Sequence, residues 1–249
     1  MRGLGTIINT LLVAVGGLVG MRFRTGIPEK VQKTLMQACG VSSMFIGAGG
    51  TLAKMLHVSE DGSLAAQGTL LLILSLVLGA FAGELMDLEA KMDGLGEWLK
   101  ARVGAQGDNS FVEGFVNVSL IVCVGAMAIV GAIQDGISGD FSMLAAKSIL
   151  DMIIAMIFAA SYGLGAVFAA LAILVYQGSI TLLAMFFGSF ASQTTISALT
   201  FVGSALIFCV GVNISFGKNF RVGNLIQALA AAVALELVLR QFGIDLMAL

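Results

Sequence analysis

Long apolar stretches separated by short polar segments dominate the chain. A membrane-spanning helix needs about 20 mostly apolar residues, because each residue adds only about 1.5 Å along the helix axis. Stretches of this kind occur at 4–21, 34–53, 66–86, 112–133, 141–161, 163–188, 194–214 and 223–239. Their apolar residues run on without alternation, which argues against a membrane barrel. The pattern predicts an all-α polytopic membrane protein of about eight transmembrane helices, with seven or nine left open.

The longest uncharged stretch supports three of these spans. No Asp, Glu, Lys or Arg occurs between Asp151 and Lys218. Polar residues and a glycine at 161–163, and a polar group at 192–194, would let the backbone turn between spans. A further break at 176–179, inside the stretch 163–188, is left open.

Composition agrees with a membrane protein. Of 249 residues, 58% are apolar and only 11% are charged, against about a quarter in an ordinary soluble domain. So few charges cannot cover the surface of a water-soluble globule. The formal net charge of −2, without a basic stripe, excludes nucleic acid as a partner and leaves the lipid bilayer.

The distribution of basic residues predicts the orientation, because cytoplasmic loops of membrane proteins are rich in Lys and Arg. A cytoplasmic first loop, 22–33, places both termini outside. Stretch 4–21 is interpreted as a retained helix, since no small-x-small cleavage site follows it cleanly. Most of the thirteen basic residues are then inside: Arg22, Arg24, Lys30, Lys33, Lys91, Lys100, Arg102, Lys218 and Arg221.

One polar excursion separates the third and fourth spans. Segment 84–110 carries apolar residues at helical spacing, namely Leu85, Leu88, Met92, Leu95, Trp98 and Leu99. This pattern predicts an amphipathic interfacial helix with Trp98 among the lipid headgroups. The alternative is a docking site for a partner protein. The whole chain, 1–249, is interpreted as a single integral membrane domain.

Glycine pairs suggest that a helical hairpin is repeated. Gly16 and Gly20 form a G-x-x-x-G pair late in the first span, and Gly79 and Gly83 form one late in the third. Such pairs let helix backbones approach closely. The following spans carry the related strings FIGA at 45–48 and CVGA at 123–126. We interpret them as an internal helical-hairpin duplication, which is frequent in transporters; helix packing alone is the alternative.

An acid and a base lie within the fifth span. Lys147 and Asp151 are four residues apart and therefore share one helix face. Because a charge in the hydrocarbon region is costly, each is a functional candidate. Two interpretations compete: a static ion pair that joins helices, and an ion, proton or substrate site on Asp151 with Lys147 as counter-charge.

Two glycine-flanked polar groups predict breaks in otherwise apolar spans. Gln134 and Asp135 form the first, and the segment 177–181, with Gln177, Gly178 and Ser179 as candidate site residues, forms the second. Interrupted helices of this kind are typical of mid-membrane binding sites. Asp135 at the water interface is the alternative to an unwound segment there. Further oxygen ligands could come from other polar residues in the spans, among them Asn9 and Asn213.

The chemistry expected of an enzyme is missing from the sequence. The single histidine, His57, follows the second span in a short loop, where we expect it to meet water. No H-E-x-x-H, Walker A or G-x-S-x-G motif occurs, and the cysteines lack metal-binding spacing. We therefore expect no enzyme and no cofactor, apart from Na⁺ or H⁺ as a coupling ion.

Several motifs along nearly the whole chain resemble the bacterial inner-membrane family called domain of unknown function 554, the YdfK/YqgA-like proteins. They are GTIIN at 5–9, GIPE at 26–29, GAIQDG at 131–136, SGD at 138–140, KSILD at 147–151, YQGSITLL at 176–183, GVN at 211–213 and RVGNL at 221–225. The resemblance implies a bacterial inner-membrane protein, with transport as a possible role. It implies no substrate and no catalytic residue.

These observations lead to one functional hypothesis, an ion-coupled secondary transporter of a small solute that works by alternating access as a homodimer. In it, Asp151 and Asp135 bind Na⁺ or H⁺ and Lys147 adjusts the local charge. The break at Gln177 and Gly178 contacts the solute. The alternatives are an ion channel, which needs a continuous polar lining, and a membrane scaffold or sensor subunit that transports nothing.

Overall fold

Helices account for nearly all of the structure, a computed structural model that describes residues 2–23, 28–59, 61–87, 90, 110–123, 126–187, 192–217 and 220–247. The elements are α1 (Leu4–Met21), α2 (Glu29–Met55), β1 (Leu56–Val58), β2 (Leu64–Ala66), α3 (Thr69–Met86), α4 (Ser110–Cys123), α5 (Ala126–Ser138), α6 (Ser142–Tyr162), α7 (Leu164–Phe187), α8 (Gln193–Phe216), α9 (Val222–Leu225) and α10 (Gln227–Gln241). Most of the interfacial segment predicted at 84–110 lies outside the described residues.

The helices confirm an all-α membrane protein with about eight spans. Within the described residues, seven segments are long and apolar enough to cross a bilayer, with α9 and α10 forming one of them. Taken as one span, the pair α4 and α5 is the eighth, and its parts Asn117–Cys123 and Met127–Ser138 meet at a bend of 57°. The predicted stretch 112–133 is therefore a broken span.

A small β-hairpin follows α2, which the sequence did not predict. Strands β1 and β2 pair antiparallel, with His57 opposite Ala65. Each strand has only three residues, too few for the alternation that identifies strands in a sequence. Gly62 provides the positive φ of 81° in the turn. His57 is exposed as expected, although it lies in a strand and not in a loop.

Contacts divide the chain into two compact units. Unit 1 comprises Met1–Cys39 and Ala90–Ser189, and unit 2 comprises Gly40–Glu89 and Phe190–Leu249. In unit 1, α1 packs mainly on α6 and α7, and α4 packs on α7. In unit 2, α3 packs on α9 and α10, and α8 packs on α10. That the chain forms a single integral membrane domain stays a prediction.

The glycine pair of unit 1 lets two backbones touch, as predicted. A Cβ atom on Gly16 would lie 2.3 Å from the carbonyl oxygen of Met152, and one on Gly20 would lie 2.1 Å from that of Met156. Any side chain at these positions would collide with α6. Since both contacts advance by four residues along each helix, α1 and α6 run parallel.

The glycine pair of unit 2 makes an equally close contact in the opposite sense. A Cβ on Gly79 would lie 2.3 Å from the Ala228 backbone, and one on Gly83 would lie 2.0 Å from the carbonyl oxygen of Asn224. Here the residue number rises by four along α3 while it falls by four along its partner, so α3 runs antiparallel to α9 and α10. The internal duplication stays a prediction.

Candidate functional site

The acid and the base of α6 form a buried ion pair. The Lys147 ammonium contacts Asp151 Oδ2, and each side chain exposes only 5% of its surface. Their spacing of four residues stacks them on the inward face of α6, as the sequence predicted. Because neither charge reaches water, each is neutralised mainly by the other.

Lys147 also binds the end of a neighbouring helix. Its Nζ donates to the backbone carbonyl of Val122 at 2.8 Å. Val122 lies in the last turn of α4, directly before the bend of the broken span. Carbonyls in a last helical turn lack an intrahelical partner and carry partial negative charge, so they favour a cation. The ammonium is therefore held between a carboxylate and a helix end.

Asn9 connects the ion pair to two more helices. From α1, its Nδ2 donates to Asp151 Oδ2 on α6 at 2.9 Å and to Gln177 Oε1 on α7 at 3.0 Å. Asn9 is fully buried, with 0% of its surface exposed. Its Oδ1, in contrast, has no donor within hydrogen-bonding distance among the described residues. One side chain thus joins three helices and keeps one free acceptor.

The hydrogen bonds continue along the contact between α1 and α7. Gln177 Nε2 donates to Thr6 Oγ1 at 3.1 Å, and the hydroxyls of Thr6 and Thr181 lie 2.9 Å apart. We call the whole set the buried polar chain; all of its members belong to unit 1, and it consists of Val122, Lys147, Asp151, Asn9, Gln177, Thr6 and Thr181.

Three members of the buried polar chain were not among the predicted site residues, although Thr181 ended the predicted break at 177–181. Thr6 lies three residues before Asn9, and Thr181 lies four residues after Gln177. Both spacings place polar residues on one helix face, so this signal could have found the two threonines. The Val122 carbonyl carried no such signal, because every residue has one.

Asp135 serves a different purpose, at the start of α1. Its Oδ1 accepts from the Gly3 backbone N–H at 3.0 Å, and its Oδ2 accepts from that of Gly5 at 2.9 Å. Helix α1 has no side-chain cap of its own, because Gly3 occupies the N-cap position with a φ of 85°. The buried Asp135 carboxylate replaces the missing cap and lies at the positive end of the helix dipole.

The two predicted breaks are wrong. Helix α5 runs through Gln134 and Asp135, and α7 runs through Gln177 and Gly178, without unwinding. The side chains of Asp135 and Gln177 find partners on α1, so the polar residues do not require an open backbone. In a bilayer, a continuous helix also satisfies its own backbone groups. The break in this unit lies between α4 and α5.

Two other predicted residues belong to unit 1 but are not members of the buried polar chain. Gly178 faces α1, where a Cβ would lie 3.9 Å from the methyl group of Thr6. Gln134 is buried on α5, and its backbone carbonyl accepts from the Ser138 hydroxyl at 2.7 Å.

Two further candidates lie elsewhere. Ser179 is exposed on α7, and its hydroxyl donates to the carbonyl of Tyr176 at 2.7 Å. Asn213 belongs to unit 2, where its amide donates to the Phe220 carbonyl at 2.8 Å and accepts from the Phe220 N–H at 2.9 Å. Asn213 therefore bonds the end of α8 to Phe220, and neither residue is a member of the buried polar chain.

Metal binding is not organised around a carboxylate cluster in the described part of the chain, where no three His, Cys, Asp or Glu side chains come together. Asp135 and Asp151 bind separate groups, the amides of α1 in one case and Lys147 with Asn9 in the other. Na⁺ at these two acids stays a prediction.

Unit 2 contains a second buried acid. Glu236 on α10 accepts from the hydroxyls of Thr194 and Thr195 at the start of α8, at 2.5 and 2.9 Å. Arg240 lies one turn further along α10, 3.4 Å from the carboxylate and largely exposed. A small cavity adjoins this group and is lined by Thr194, Glu236, Arg240, Gly243, Ile244, Asp245 and Leu246.

Comparison with known proteins decides the family. The family model described as "Protein of unknown function (DUF554)" matches residues 4–237. The chain belongs to this family. The match includes every member of the buried polar chain and confirms the resemblance seen in the sequence motifs.

Two relatives extend over almost the same length. The "Uncharacterized membrane protein YdfK" of Bacillus subtilis (strain 168) is 30% identical over 240 residues, which cover 96% of this chain and 98% of the relative. The "Uncharacterized protein YqgA" of Escherichia coli (strain K12) is 28% identical over 240 residues, with 94% and 96% covered. No solved structure matches the chain significantly. The family is thus one of membrane proteins whose activity has not been assigned.

Proposed function

We propose that this protein is an ion-coupled secondary transporter of a small solute, that it works by alternating access, and that the buried polar chain is its coupling site. The coupling ion is Na⁺ or H⁺. The proposal includes a bacterial inner-membrane location, a cytoplasmic first loop (22–33) and a homodimer. It rests on the geometry of unit 1 and on the membrane character of the family.

The buried ion pair is the observation that carries the proposal. Removing two charges from water costs several kcal/mol for each ion, and apolar residues of similar size join helices without this cost. Ionisable residues inside a membrane protein therefore mark pathways of ions or solutes by default. Lys147 and Asp151 fit this description, because both side chains are buried within a helix long enough to span the membrane.

The partners of Asp151 explain how one carboxylate can affect several helices. Asp151 and Lys147 belong to α6, Asn9 belongs to α1, and Gln177 behind it belongs to α7. A change in the charge or position of the carboxylate alters hydrogen bonds to all three helices. Alternating access requires such a link between an ion-binding group and the packing of helices.

The broken span supports the same proposal. Discontinuous helices near the middle of the bilayer are typical of secondary transporters, where they form part of the binding site. Here the carbonyl of Val122, in the last turn before the bend, accepts from Lys147. The bend between α4 and α5 is thus bonded directly to the ion pair.

Transport by purified protein tests the proposal. Proteoliposomes are given an inward gradient of pH or of Na⁺, and the uptake of labelled amino acids, carboxylates, amines and sugars is measured. We expect at least one solute to accumulate under one gradient, and Asp151→Asn to abolish that accumulation. Asp61→Asn, in the exposed turn of the hairpin, is the matched control and should transport normally.

A folding control is needed, because Asp151→Asn leaves the Lys147 ammonium buried without its partner. The double substitution Lys147→Gln with Asp151→Asn removes both charges and should fold but not couple. Normal uptake by this variant would remove the ion pair from the mechanism. Single-channel currents in planar bilayers would instead identify a channel. A stoichiometric partner that depends on segment 84–110, without any flux, would identify a scaffold.

A further inference from the structure

We propose that the coupling ion is a proton carried by Asp151, and that the solute is a small monoanion whose negative charge pairs with Lys147. This inference rests on the proposed function and narrows it to symport of one proton with one monoanion. The charges, the occupied ligands of Asp151 and the free acceptor on Asn9 support it independently.

Charge balance is the first argument. The buried polar chain contains one ammonium and one carboxylate, so the closed site is neutral as a whole. A proton or Na⁺ bound alone would leave it with one uncompensated positive charge away from water, which is costly. A proton bound together with a monoanion returns the sum to zero. The loaded and the empty site are then both neutral and can both be closed to water.

The ligands already present favour a proton over a metal ion. Asp151 Oδ2 accepts from both Lys147 Nζ and Asn9 Nδ2. Na⁺ at this carboxylate would replace the ammonium while remaining close to it, and the two like charges would repel each other. A proton on Asp151 removes the negative charge instead, and so frees the Lys147 ammonium for another anion.

Lys147 remains in place when Asp151 becomes neutral. The Val122 carbonyl still accepts from its Nζ, at 2.8 Å. The side chain therefore stays directed towards the bend between α4 and α5 and still has donors for a second partner. A carboxylate or another single negative charge on the solute is the chemical group that pairs with an ammonium that has lost its counter-charge.

Asn9 supplies what the protonated state of Asp151 needs. A neutral carboxyl group has an O–H donor, whereas the ionised group only accepts. Asn9 Oδ1 is the buried acceptor that has no donor in the ionised state. A half-turn of the Asn9 amide exchanges its oxygen and nitrogen and brings this acceptor to Asp151. Gln177, Thr6 and Thr181 can each donate and accept, so the donors and acceptors in the remaining hydrogen bonds of the buried polar chain can exchange roles as well.

Other titratable groups near Asp151 do not offer the same exchange. On α4, Cys123 is close enough to interact electrostatically with Lys147 and Asp151, and on α7, Tyr176 interacts with Cys123. On α5, Asp135 accepts from the α1 amides with both of its oxygens. Helix α1 itself carries no titratable side chain. Among the described groups, Asp151 is the acid whose charge decides the partner of Lys147.

The proton balance of the cycle is simple. On one side of the membrane, water supplies a proton that forms the O–H bond of Asp151, and the hydrogen bond from Lys147 to Asp151 breaks. Lys147 keeps its own protons and pairs with the anion. On the other side, the O–H bond breaks, the proton returns to water, the anion leaves and the ion pair reforms.

Proton uptake on anion binding tests the proposal. Purified protein in weakly buffered detergent is mixed with formate, lactate, benzoate or nitrate, and a pH indicator records the protons taken up. We expect one proton for each anion bound, and an affinity that rises up to tenfold for each unit of decrease in pH. Lactamide, the neutral analogue of lactate, should neither bind nor change the pH.

Variants assign the proton to its group. Asp151→Asn, and the double substitution of Lys147→Gln with Asp151→Asn, should lose the proton uptake. Cys123→Ser and Asp61→Asn should keep it. Unchanged uptake in the double variant, in a protein that still binds the anion, overturns the assignment to Asp151.

Three results would overturn the proposal. The first is a thermal melting temperature that rises with Na⁺ or an amine but not with any of the four anions. The second is binding of an anion without uptake of a proton. Either of these two results would leave the proposed transport function standing and would change only the identity of the ion or the solute. The third is an absence of binding by every probe together with an absence of flux under either gradient, which overturns the proposed function as well.

Discussion

Both units bury an acid one helical turn from a base, but they differ in how far the base is exposed to water. In unit 1 the side chains of Lys147 and Asp151 are each 5% exposed. In unit 2 Glu236 is 6% exposed and Arg240 is 60% exposed. Water can therefore screen the charge of Arg240, whereas the charge of Lys147 depends on groups inside the protein. The same four-residue spacing produces a pair with an exposed base in one unit and a fully buried charge pair in the other.

The partners of the two acids differ in the same way. Glu236 accepts from Thr194 and Thr195, which belong to the first turn of α8, so its bonds fasten one helix end. Asp151 accepts from Asn9, whose second N–H reaches Gln177, so its bonds connect three helices along their length. The comparison shows that spacing alone identifies a pair, and that its surroundings decide what the pair can do.

Substitution of the base in each pair should have the largest effect, and the effect should differ most between the two units. Lys147→Ala leaves Asp151 buried without a counter-charge and should lower the free energy of unfolding by about 3–5 kcal/mol. Arg240→Ala removes an exposed partner and should lower it by no more than about 1 kcal/mol. Unfolding by denaturant in detergent micelles measures both. Equal losses for the two variants would show that exposure does not distinguish the pairs.

Substitutions at the glycine contacts should have the next largest effect on stability, and this effect should be similar in both units. An alanine at Gly20 or at Gly83 would place its Cβ about 2 Å from a carbonyl oxygen, and we expect each substitution to cost about 1–3 kcal/mol of stability. Gly49→Ala on α2 is the control, because no atom lies within 4 Å of its Cβ position. It should be neutral or stabilising, and thermal melting of the three variants provides the measurement.

Loss of one hydrogen-bonding side chain should have an intermediate to small effect. Asn9→Ala removes a donor from Asp151 and from Gln177 and should destabilise by about 1–3 kcal/mol. Thr195→Ala removes one donor from Glu236, which keeps Thr194 and Arg240, and should cost about 1 kcal/mol. Denaturant unfolding decides the order, and a larger loss for Thr195→Ala would contradict the central position given to Asn9.

The smallest effect is expected at an exposed acid of unit 2. The hydroxyl and the backbone N–H of Ser63 donate to Asp61 and hold the pKa of its carboxyl below the usual value. Because the pKa is lowered in the folded turn, its stabilising contribution is present at neutral pH. It is lost as the pH falls through the folded-state pKa. A carboxyl titration by nuclear magnetic resonance should show the low pKa, and Ser63→Ala should raise it.

The spans and the ion pair could be predicted from the sequence because both depend on local spacing. Apolar runs reveal helix length, and residues four apart, such as Lys147 and Asp151, share a face in any helix. Asn9 and Gln177 could be proposed for the site because amides are uncommon in apolar spans. Their bond to each other could not, since it depends on the rotation of α1 against α7.

The errors came from interpreting polar residues without their neighbours. Gln177 and Asp135 indicated unwound segments as long as their partners were unknown. Both are in fact satisfied by α1, through Thr6 and Asn9 in one case and through the first backbone amides in the other. The missing N-cap of α1 was a usable signal for Asp135, but no rule of spacing could say which acid would supply it. Ser179 had the same sequence context as Gln177 and points the other way.

The close contact at Gly16 and Gly20 has a mechanical consequence for α1 and α6. Helices separated by side chains can slide over one another as rotamers change. Here the two backbones are in direct contact, which leaves little room for one helix to move against the other. A displacement of the amino end of α1, where Asp135 accepts its hydrogen bonds, should therefore displace α6 and Asp151 as well. The two helices therefore act as one rigid pair.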